Sequence, residues 1–184
     1  MSATIDTPTL TPFEVLLDYE RRSLAHVAGM PEQIEAPGLW RGIGFRLGAR
    51  RLVSSIAEVN EILTPPPLTV VPGTRAWLLG VANIRGNLVP VIDLRCFIEG
   101  ERHVQADSSR VLLVRQHGGS VGLLVDEVLG QRNFSEEQRA EASDEDDPRY
   151  ARFVIERYRL GDVLWCLFSM VALVRTPEFV QAAA

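Results

Sequence analysis

Lysine is absent from this chain, and all of its 19 basic residues are arginines. Both residue types serve as solvated surface cations, so the absence fits a bias in the base composition of the coding DNA. The missing amine nevertheless excludes chemistry. Schiff-base catalysis, a phosphate-loop lysine and a kinase-type lysine all need a side chain that this protein does not have.

Cysteine is scarce, and long apolar runs are missing. Cys96 and Cys166 lie far apart in apolar surroundings and form no Cys-x-x-Cys pair, which predicts buried free thiols in a reducing compartment. No apolar run reaches the roughly 18 residues of a spanning helix. The N-terminus lacks the basic region and apolar core of a signal peptide. We therefore expect a cytoplasmic protein that is not inserted into the membrane.

Positive charge is not concentrated anywhere in the sequence. The formal net charge is −5, and because phosphate binding needs clustered cations, nucleic acid is not an expected partner. Acidic residues gather in residues 135–149, which are typical of a solvated loop. A calcium-binding loop is disfavoured there by Pro148 and by the lack of a mid-loop glycine.

Residues suited to catalysis or metal binding are isolated in the sequence. His26, His103 and His117 show no metal-ligand spacing and have no neighbour that would orient them. Asp126 and Glu127 are adjacent, so on a predicted strand they point to opposite faces. Asp93 is expected to cap a short helical turn over residues 94–98. The sequence thus predicts no catalytic, metal or cofactor site.

The N-terminal segment predicts a capped amphipathic helix over about residues 12–28. Thr11, Pro12 and Glu14 form a helix start with a capping box, and Gly29 and Pro31 end the helix. Apolar residues recur on one face at helical spacing: Phe13, Leu16, Leu17, Leu24 and Val27. That face either packs on its own domain or docks a partner. With the linker that follows, residues 1–41 form an N-terminal extension.

Short apolar, β-branched runs fill the rest of the chain at spacings of about ten residues, which favours a β-sandwich or barrel. Predicted strands include residues 43–47, 51–56, 59–63 and a continuous run at 121–129. The clearest hairpin turns at Ile84-Arg85-Gly86-Asn87, between two apolar runs. Its tip carries the lone cation Arg85, which is either a protein contact or a solvated turn residue.

An ordered set of motifs resembles the CheW-like chemotaxis coupling domain over about residues 42–175. The motifs are Phe45-x-Leu47-Gly48, Ile56-x-x-Val59-x-Glu61-Ile62-Leu63, Pro72-Gly73, Trp77-x-x-Gly80-Val81-x-Asn83-Ile84-Arg85-Gly86, Pro90-Val91-Ile92-Asp93-Leu94 and the hairpins that follow. The capped helix and the run from Trp40 to Phe45 are similar to family members of the type IV pilus, or twitching-motility, pathway.

The resemblance implies a mainly β fold of two small five-stranded β-barrel subdomains with a groove between them. An N-terminal helix and a C-terminal helical segment would complete it, with the CheW-like domain over residues 42–179. It also implies a non-enzymatic adaptor without cofactors. The adaptor would join the cytoplasmic helical hairpin of a chemoreceptor to the regulatory domain of a CheA-like histidine kinase, at membrane-associated receptor arrays.

The resemblance also assigns a receptor-binding surface, formed by Val59, Glu61, Ile62, Gly80 and Arg85. Gly80 would act through close backbone approach rather than direct contact. Ser54-Ser55 depart from the family pattern of an apolar residue followed by proline. Two other functions stay open: a small-ligand-binding β-barrel sensor with the groove as its pocket, and an enzyme with an unrecognised site, which the missing lysine and isolated histidines disfavour.

Overall fold

A computed structural model describes residues 11–25, 39–116, 118–141 and 147–181. The chain divides into two units, Met1–Ala36 and Pro37–Ala184, which are described separately. Several predictions fall outside the described residues: the helix end at Gly29 and Pro31, the linker up to residue 38, His26, His117, and residues 142–146 of the acidic loop.

The described residues of the first unit form helix α1 (Pro12–Ala25). The predicted capping box is present, since the N–H and Oγ1 of Thr11 donate to Glu14 Oε2 at 2.7 and 2.8 Å. These bonds, the backbone one foremost, lower the pKa of the Glu14 carboxyl. The apolar side chains of Phe13, Leu16 and Leu17 are exposed. Local spacing therefore predicted the start of α1 correctly.

Eleven strands and four short helices form the described part of the second unit. The strands are β1 (Leu39–Leu47), β2 (Arg50–Ser55), β3 (Val59–Leu63), β4 (Leu78–Ile84), β5 (Asn87–Asp93), β6 (Arg110–Gln116), β7 (Gly119–Val125), β8 (Glu127–Ser135), β9 (Arg139–Ala140), β10 (Val154–Leu160) and β11 (Val163–Phe168). The helices are α2 (Leu94–Glu99), α3 (Pro148–Ala151), α4 (Met170–Val174) and α5 (Pro177–Val180), with 3-10 turns at Ile56–Glu58 and Glu136–Gln138.

The strands form two mixed sheets, which confirms the mainly β fold. The larger sheet has the order β8-β1-β2-β11-β10-β9, and the smaller sheet has the order β3-β6-β7-β5-β4. The larger sheet has six strands rather than five because the two-residue β9 pairs with β10. Each sheet contains one parallel pair of strands, which is β2 with β11 in the larger sheet and β5 with β7 in the smaller sheet. The other neighbouring strands pair antiparallel.

Three apolar clusters stabilise this arrangement. The largest is shared: Phe45 and Leu52 of the larger sheet pack with Leu112 and Leu123 of the smaller sheet and with Phe179 of α5. Each sheet also holds a cluster of its own. That of the smaller sheet is Ala82, Ile84, Val89, Val91, Val111 and Leu124, and that of the larger sheet is Val53, Phe134, Tyr158 and Trp165. Burying such side chains stabilises each one by about 1.5–3 kcal/mol relative to exposure.

The predicted strand over residues 121–129 is wrong in one respect, because it breaks at Asp126. β7 belongs to the smaller sheet and β8 to the larger one, so Asp126 is the crossing point between the sheets. Its Oδ2 accepts hydrogen bonds from Gly48 N at 2.6 Å and from Arg46 Nη1 at 3.2 Å. These bonds to the end of β1 and to the β1–β2 turn fix Asp126 in a bend that a continuous strand could not provide.

The expectation that His103 is isolated is also wrong. Its Nδ1 hydrogen-bonds to Asp126 Oδ1, and its Nε2 lies 2.7 Å from Ser109 Oγ. Its backbone N–H donates to Asp93 Oδ2 at 2.8 Å, while Asp93 Oδ1 caps α2 as predicted, by accepting from Cys96 N. We call Arg46, Asp93, His103, Ser109 and Asp126 the junction cluster, since it connects the loop after α2 to both sheets.

Ser54 and Ser55, the departure from the family pattern, form a small polar connection. Buried Ser54 donates through Oγ to Glu58 Oε2 at 3.1 Å, and the same carboxylate oxygen accepts from Met170 N at 2.7 Å. Ser55 Oγ caps the 3-10 turn by accepting from Ala57 N. The pair thus links β2 to the start of α4, where an apolar residue could not bind Glu58.

We expect Asp126→Ala to lower the free energy of unfolding by about 3 kcal/mol or more, because it leaves the buried His103 ring and Gly48 N–H without their acceptor. Urea titration of both proteins measures the difference. Asp107→Ala, at an exposed position in the same loop, is the matched control and should change stability little. Equal effects of the two substitutions would contradict the role of the junction cluster.

Candidate functional site

The two edges of the smaller sheet approach each other. β3 and β4 are its outermost strands, yet Arg85 Nη2, just beyond β4, donates to Glu61 Oε1 of β3 at 2.6 Å. The sheet must therefore curl until its edges meet. At this end it surrounds a cavity of about 590 Å³, lined by Asn60, Glu61, Ile84, Arg85, Asn87, Leu88, Val89, Leu113, Arg115, Gly118, Gly119 and Ser120.

Arg85 occupies a strained position at the hairpin tip. Ile84 pairs with Asn87, and the two residues between them have positive φ, 53° at Arg85 and 84° at Gly86, as in a type I′ turn. Among the described residues, Arg85 is the only non-glycine with positive φ. That conformation costs about 1–2 kcal/mol. Turn chemistry favours Asn or Gly here, so the strain points to a function of the arginine itself.

The guanidinium of Arg85 is held loosely. Its side chain is 77% exposed, and an exposed ion pair contributes only about 0–1 kcal/mol to stability. The neighbouring Leu88 is also 77% exposed. This end of the sheet therefore presents a cation, a carboxylate and an apolar side chain together, a combination that suits contact with another protein.

The other predicted site residues lie in different environments. Ile62 is exposed on β3, but it points to the opposite face of the strand from Glu61. Val59 is half-buried and packs against the shared core. The structure thus brings Glu61 and Arg85 into contact, places Ile62 on the same edge strand, and directs Val59 inward.

Gly80 is buried in β4, beside the connection from β3. Its φ is +147°, and a Cβ there would overlap the carbonyl oxygen of Thr69. Thr69 and Val81 exchange two backbone hydrogen bonds, both of 2.9 Å. The glycine therefore lets the β3–β4 connection lie against β4, which is the backbone approach expected from the sequence.

Sequence reasoning did not find the rest of the cavity lining. Arg115 and Ser120 lie at the end of the β6–β7 hairpin and reach the cavity only because the sheet curls. Leu88 had a local signal, since it is an apolar residue three positions after Arg85 in the same hairpin. No sequence spacing connects the β6–β7 hairpin to Arg85.

The junction cluster has the chain of contacts of a Ser-His-Asp triad, but its environment excludes that chemistry. Ser109 is 0% exposed, and its Oγ already accepts from Ala106 N at 2.9 Å. A substrate could not reach this hydroxyl, and a nucleophile needs that access. The arrangement is therefore structural.

The two cysteines are also enclosed. Cys96 and Cys166 are buried, as predicted, and burial raises the pKa of the Cys96 thiol. Within the described ranges, no three His, Cys, Asp or Glu side chains lie close enough together to hold a metal ion. None of the helices described combines the length and hydropathy needed to cross a membrane.

These features define a class of protein: a two-sheet β scaffold whose most distinctive chemistry lies on its surface, at one end of a curled sheet. A family model, the CheW-like domain, matches residues 41–178. The chain belongs to the CheW-like domain family, and the resemblance read from the motifs is confirmed.

Individual relatives make the assignment more specific. Protein PilI of Pseudomonas aeruginosa is 36% identical over 173 residues, covering 94% of this chain and 97% of PilI. A probable chemotaxis protein CheW of Rhizobium etli is 31% identical over 140 residues, covering 74% of this chain and 88% of the relative. The crystal structure of the scaffolding protein TtCheW from Thermoanaerobacter tengcongensis has the same fold, with a TM-score of 0.65 at 23% identity over 75% of this chain and 94% of TtCheW.

We expect Gly80→Ala to destabilise the protein by about 2 kcal/mol or more, because the new Cβ meets both unfavourable φ and the backbone of Thr69. Gly73→Ala is a matched control. Gly73 also has positive φ, +71°, but a Cβ there would meet nothing within 4 Å, so only about 1 kcal/mol of conformational strain is expected. Thermal unfolding compares the two. Equal losses would contradict the close approach of Thr69.

Proposed function

We propose that this protein is a non-enzymatic adaptor that couples the cytoplasmic helical hairpin of a chemoreceptor to the regulatory domain of a CheA-like histidine kinase. It would act in the cytoplasm, at membrane-associated receptor arrays. Membership of the CheW-like family supports the adaptor role. The similarity to PilI extends over 94% of this chain and supports a place in the twitching-motility pathway of type IV pili.

The observation that carries the receptor contact is the geometry of Arg85. An arginine held in a strained turn, exposed, and adjacent to exposed Leu88 has the character of a binding hot spot. Its weak ion pair with Glu61 keeps the guanidinium over the cavity until a partner replaces it. A helical hairpin that presents carboxylates beside apolar residues fits such a surface.

The ligand-sensor alternative has one observation in its favour, since about 590 Å³ is a suitable volume for a small molecule. The charged lining of the cavity argues against a ligand sensor. Small-molecule pockets are mostly apolar with few polar groups, whereas Glu61, Arg85 and Arg115 contribute charges to this cavity. A surface for protein contact explains the lining better.

The two parts of the chain have separate roles. The N-terminal extension, residues 1–41, stays distinct from a CheW-like domain over residues 42–179, and the kinase domain binds the latter away from Arg85. Val59 and Gly80 act by supporting the receptor-binding surface from within, while Glu61, Ile62 and Arg85 touch the receptor.

We expect Arg85→Glu to weaken binding to the cytoplasmic hairpin of a chemoreceptor from the same organism by about 30-fold, the equivalent of a 2 kcal/mol hot spot. The substitution removes the cation and places a second carboxylate beside Glu61. Isothermal titration calorimetry with the purified hairpin measures the affinity, and the isolated regulatory domain of the kinase should bind with unchanged affinity.

Arg51→Glu provides the matched control, because Arg51 is exposed on β2 of the larger sheet and undergoes the same charge change. It should retain receptor binding. If Arg85→Glu and Arg51→Glu bind the hairpin as tightly as the unmodified protein, the proposed receptor-binding surface is wrong. If the unmodified protein binds neither the hairpin nor the kinase domain, the adaptor function itself is wrong.

A further inference from the structure

The cavity at the curled end of the smaller sheet has a second arginine in its lining. Arg115 lies on β6 and pairs across the hairpin with Ser120 of β7. Because side chains alternate along a strand, Arg115 points to the same face as Leu113, which packs against the apolar cluster of the smaller sheet. Glu61 of β3 pairs with Leu113 and points to that face as well. Arg115 and Glu61 therefore border one cavity together with Arg85.

The lining of this cavity carries an excess of positive charge. Its charged residues are two arginines, Arg85 and Arg115, and one carboxylate, Glu61, although the whole chain has a formal net charge of −5. Glu61 is already engaged by Arg85 at 2.6 Å. Arg115 is exposed, and no carboxylate among the described residues forms an ion pair with it. Arg115 is thus a cation without an internal competitor, at the rim of a concave surface that concentrates its field.

This distribution of charge favours a compact acidic partner. The net negative charge of the chain repels a long polyanion, and two arginines are too few for the clustered cations that nucleic acid requires. A small acidic patch meets both arginines without approaching the rest of the chain. The exposed side chain of Leu88 adds an apolar contact beside them. An amphipathic helix with carboxylates along the edge of its apolar face presents all of these groups.

We propose that Arg115 is a second, specificity-determining contact for the chemoreceptor hairpin, which presents two carboxylates, one for Arg85 and one for Arg115. This inference rests on the proposed adaptor function and names the chemistry of the receptor surface. A carboxylate that binds Arg85 has to replace Glu61, whereas one that binds Arg115 displaces no acidic group. Because Glu61 and Arg85 neutralise each other at a distance, Arg115 supplies the long-range attraction that steers the hairpin to the cavity.

Surface plasmon resonance with the purified hairpin immobilised tests the contact at about 30 and about 300 mM salt. We expect Arg115→Gln to weaken binding by about three- to tenfold at low salt, mainly through slower association, and by less at high salt. Arg51→Gln removes the same charge from an exposed position on β2 of the larger sheet and should leave the affinity unchanged. Unchanged binding of Arg115→Gln, or equal losses in both variants, would overturn the inference.

Exchanging the acidic residues of the hairpin one at a time for their amides identifies the two carboxylates. We expect one position whose effect disappears in Arg115→Gln and a different one whose effect disappears in Arg85→Gln, because strong coupling is confined to residues in contact. Thermal unfolding verifies that each variant is folded. If no position couples to Arg115, or if one position couples to both arginines, the inference is wrong and the adaptor function stands. If the unmodified protein does not bind the hairpin, the proposed function fails and this inference fails with it.

Discussion

The buried carboxylate of Asp126 is the interaction on which the rest of the second unit depends. The chain passes at this residue from the smaller sheet to the larger one, between β7 and β8. One carboxylate oxygen accepts from Arg46 near the end of β1 and from Gly48 in the β1–β2 turn, and the other hydrogen-bonds to His103. A single side chain therefore fixes the bend of the chain, the loop after α2 and the turn of the opposite sheet. A buried carboxylate without such partners would destabilise the fold. The partners of Asp126 must therefore keep these positions around it.

That junction also shows how a catalytic-looking arrangement can serve a scaffold. The hydrogen bonds run from Asp126 through His103 to Ser109, the order of contacts found in the catalytic triads of hydrolases. Ser109, however, is fully buried, and its Oγ accepts a hydrogen bond from Ala106 N. Because the serine is enclosed, these hydrogen bonds do not activate a nucleophile. They hold the two sheets together instead. A protein whose function lies in its surfaces needs rigid surfaces, and the junction cluster and the shared apolar core provide that rigidity.

The candidate receptor-binding surface depends on the curl of the smaller sheet. Gly80 lets Thr69 pair with Val81, and the type I′ turn lifts Arg85 towards Glu61 on the far edge strand. Each element alone is ordinary. The contact of Arg85 with Glu61 joins the two edges at one end of the sheet, where a cation, a carboxylate and the exposed Leu88 lie around the cavity. Arg85 is strained in this turn, because Asn or Gly would adopt the same conformation at lower cost.

Local sequence patterns determined the caps, the turns and the strands of this protein. The capping box of Thr11 and Glu14, the Asp93 cap of α2, the turn at Gly86 and the alternation of the strands depend on residues within a few positions of each other, so spacing alone predicted them. The order of the motifs also indicated the family. The contact of Glu61 with Arg85, the contact of His103 with Asp126 and the break of the 121–129 strand were decided only by the tertiary structure. These features join residues of different strands and loops, and no local periodicity records which distant side chains a curled sheet brings together.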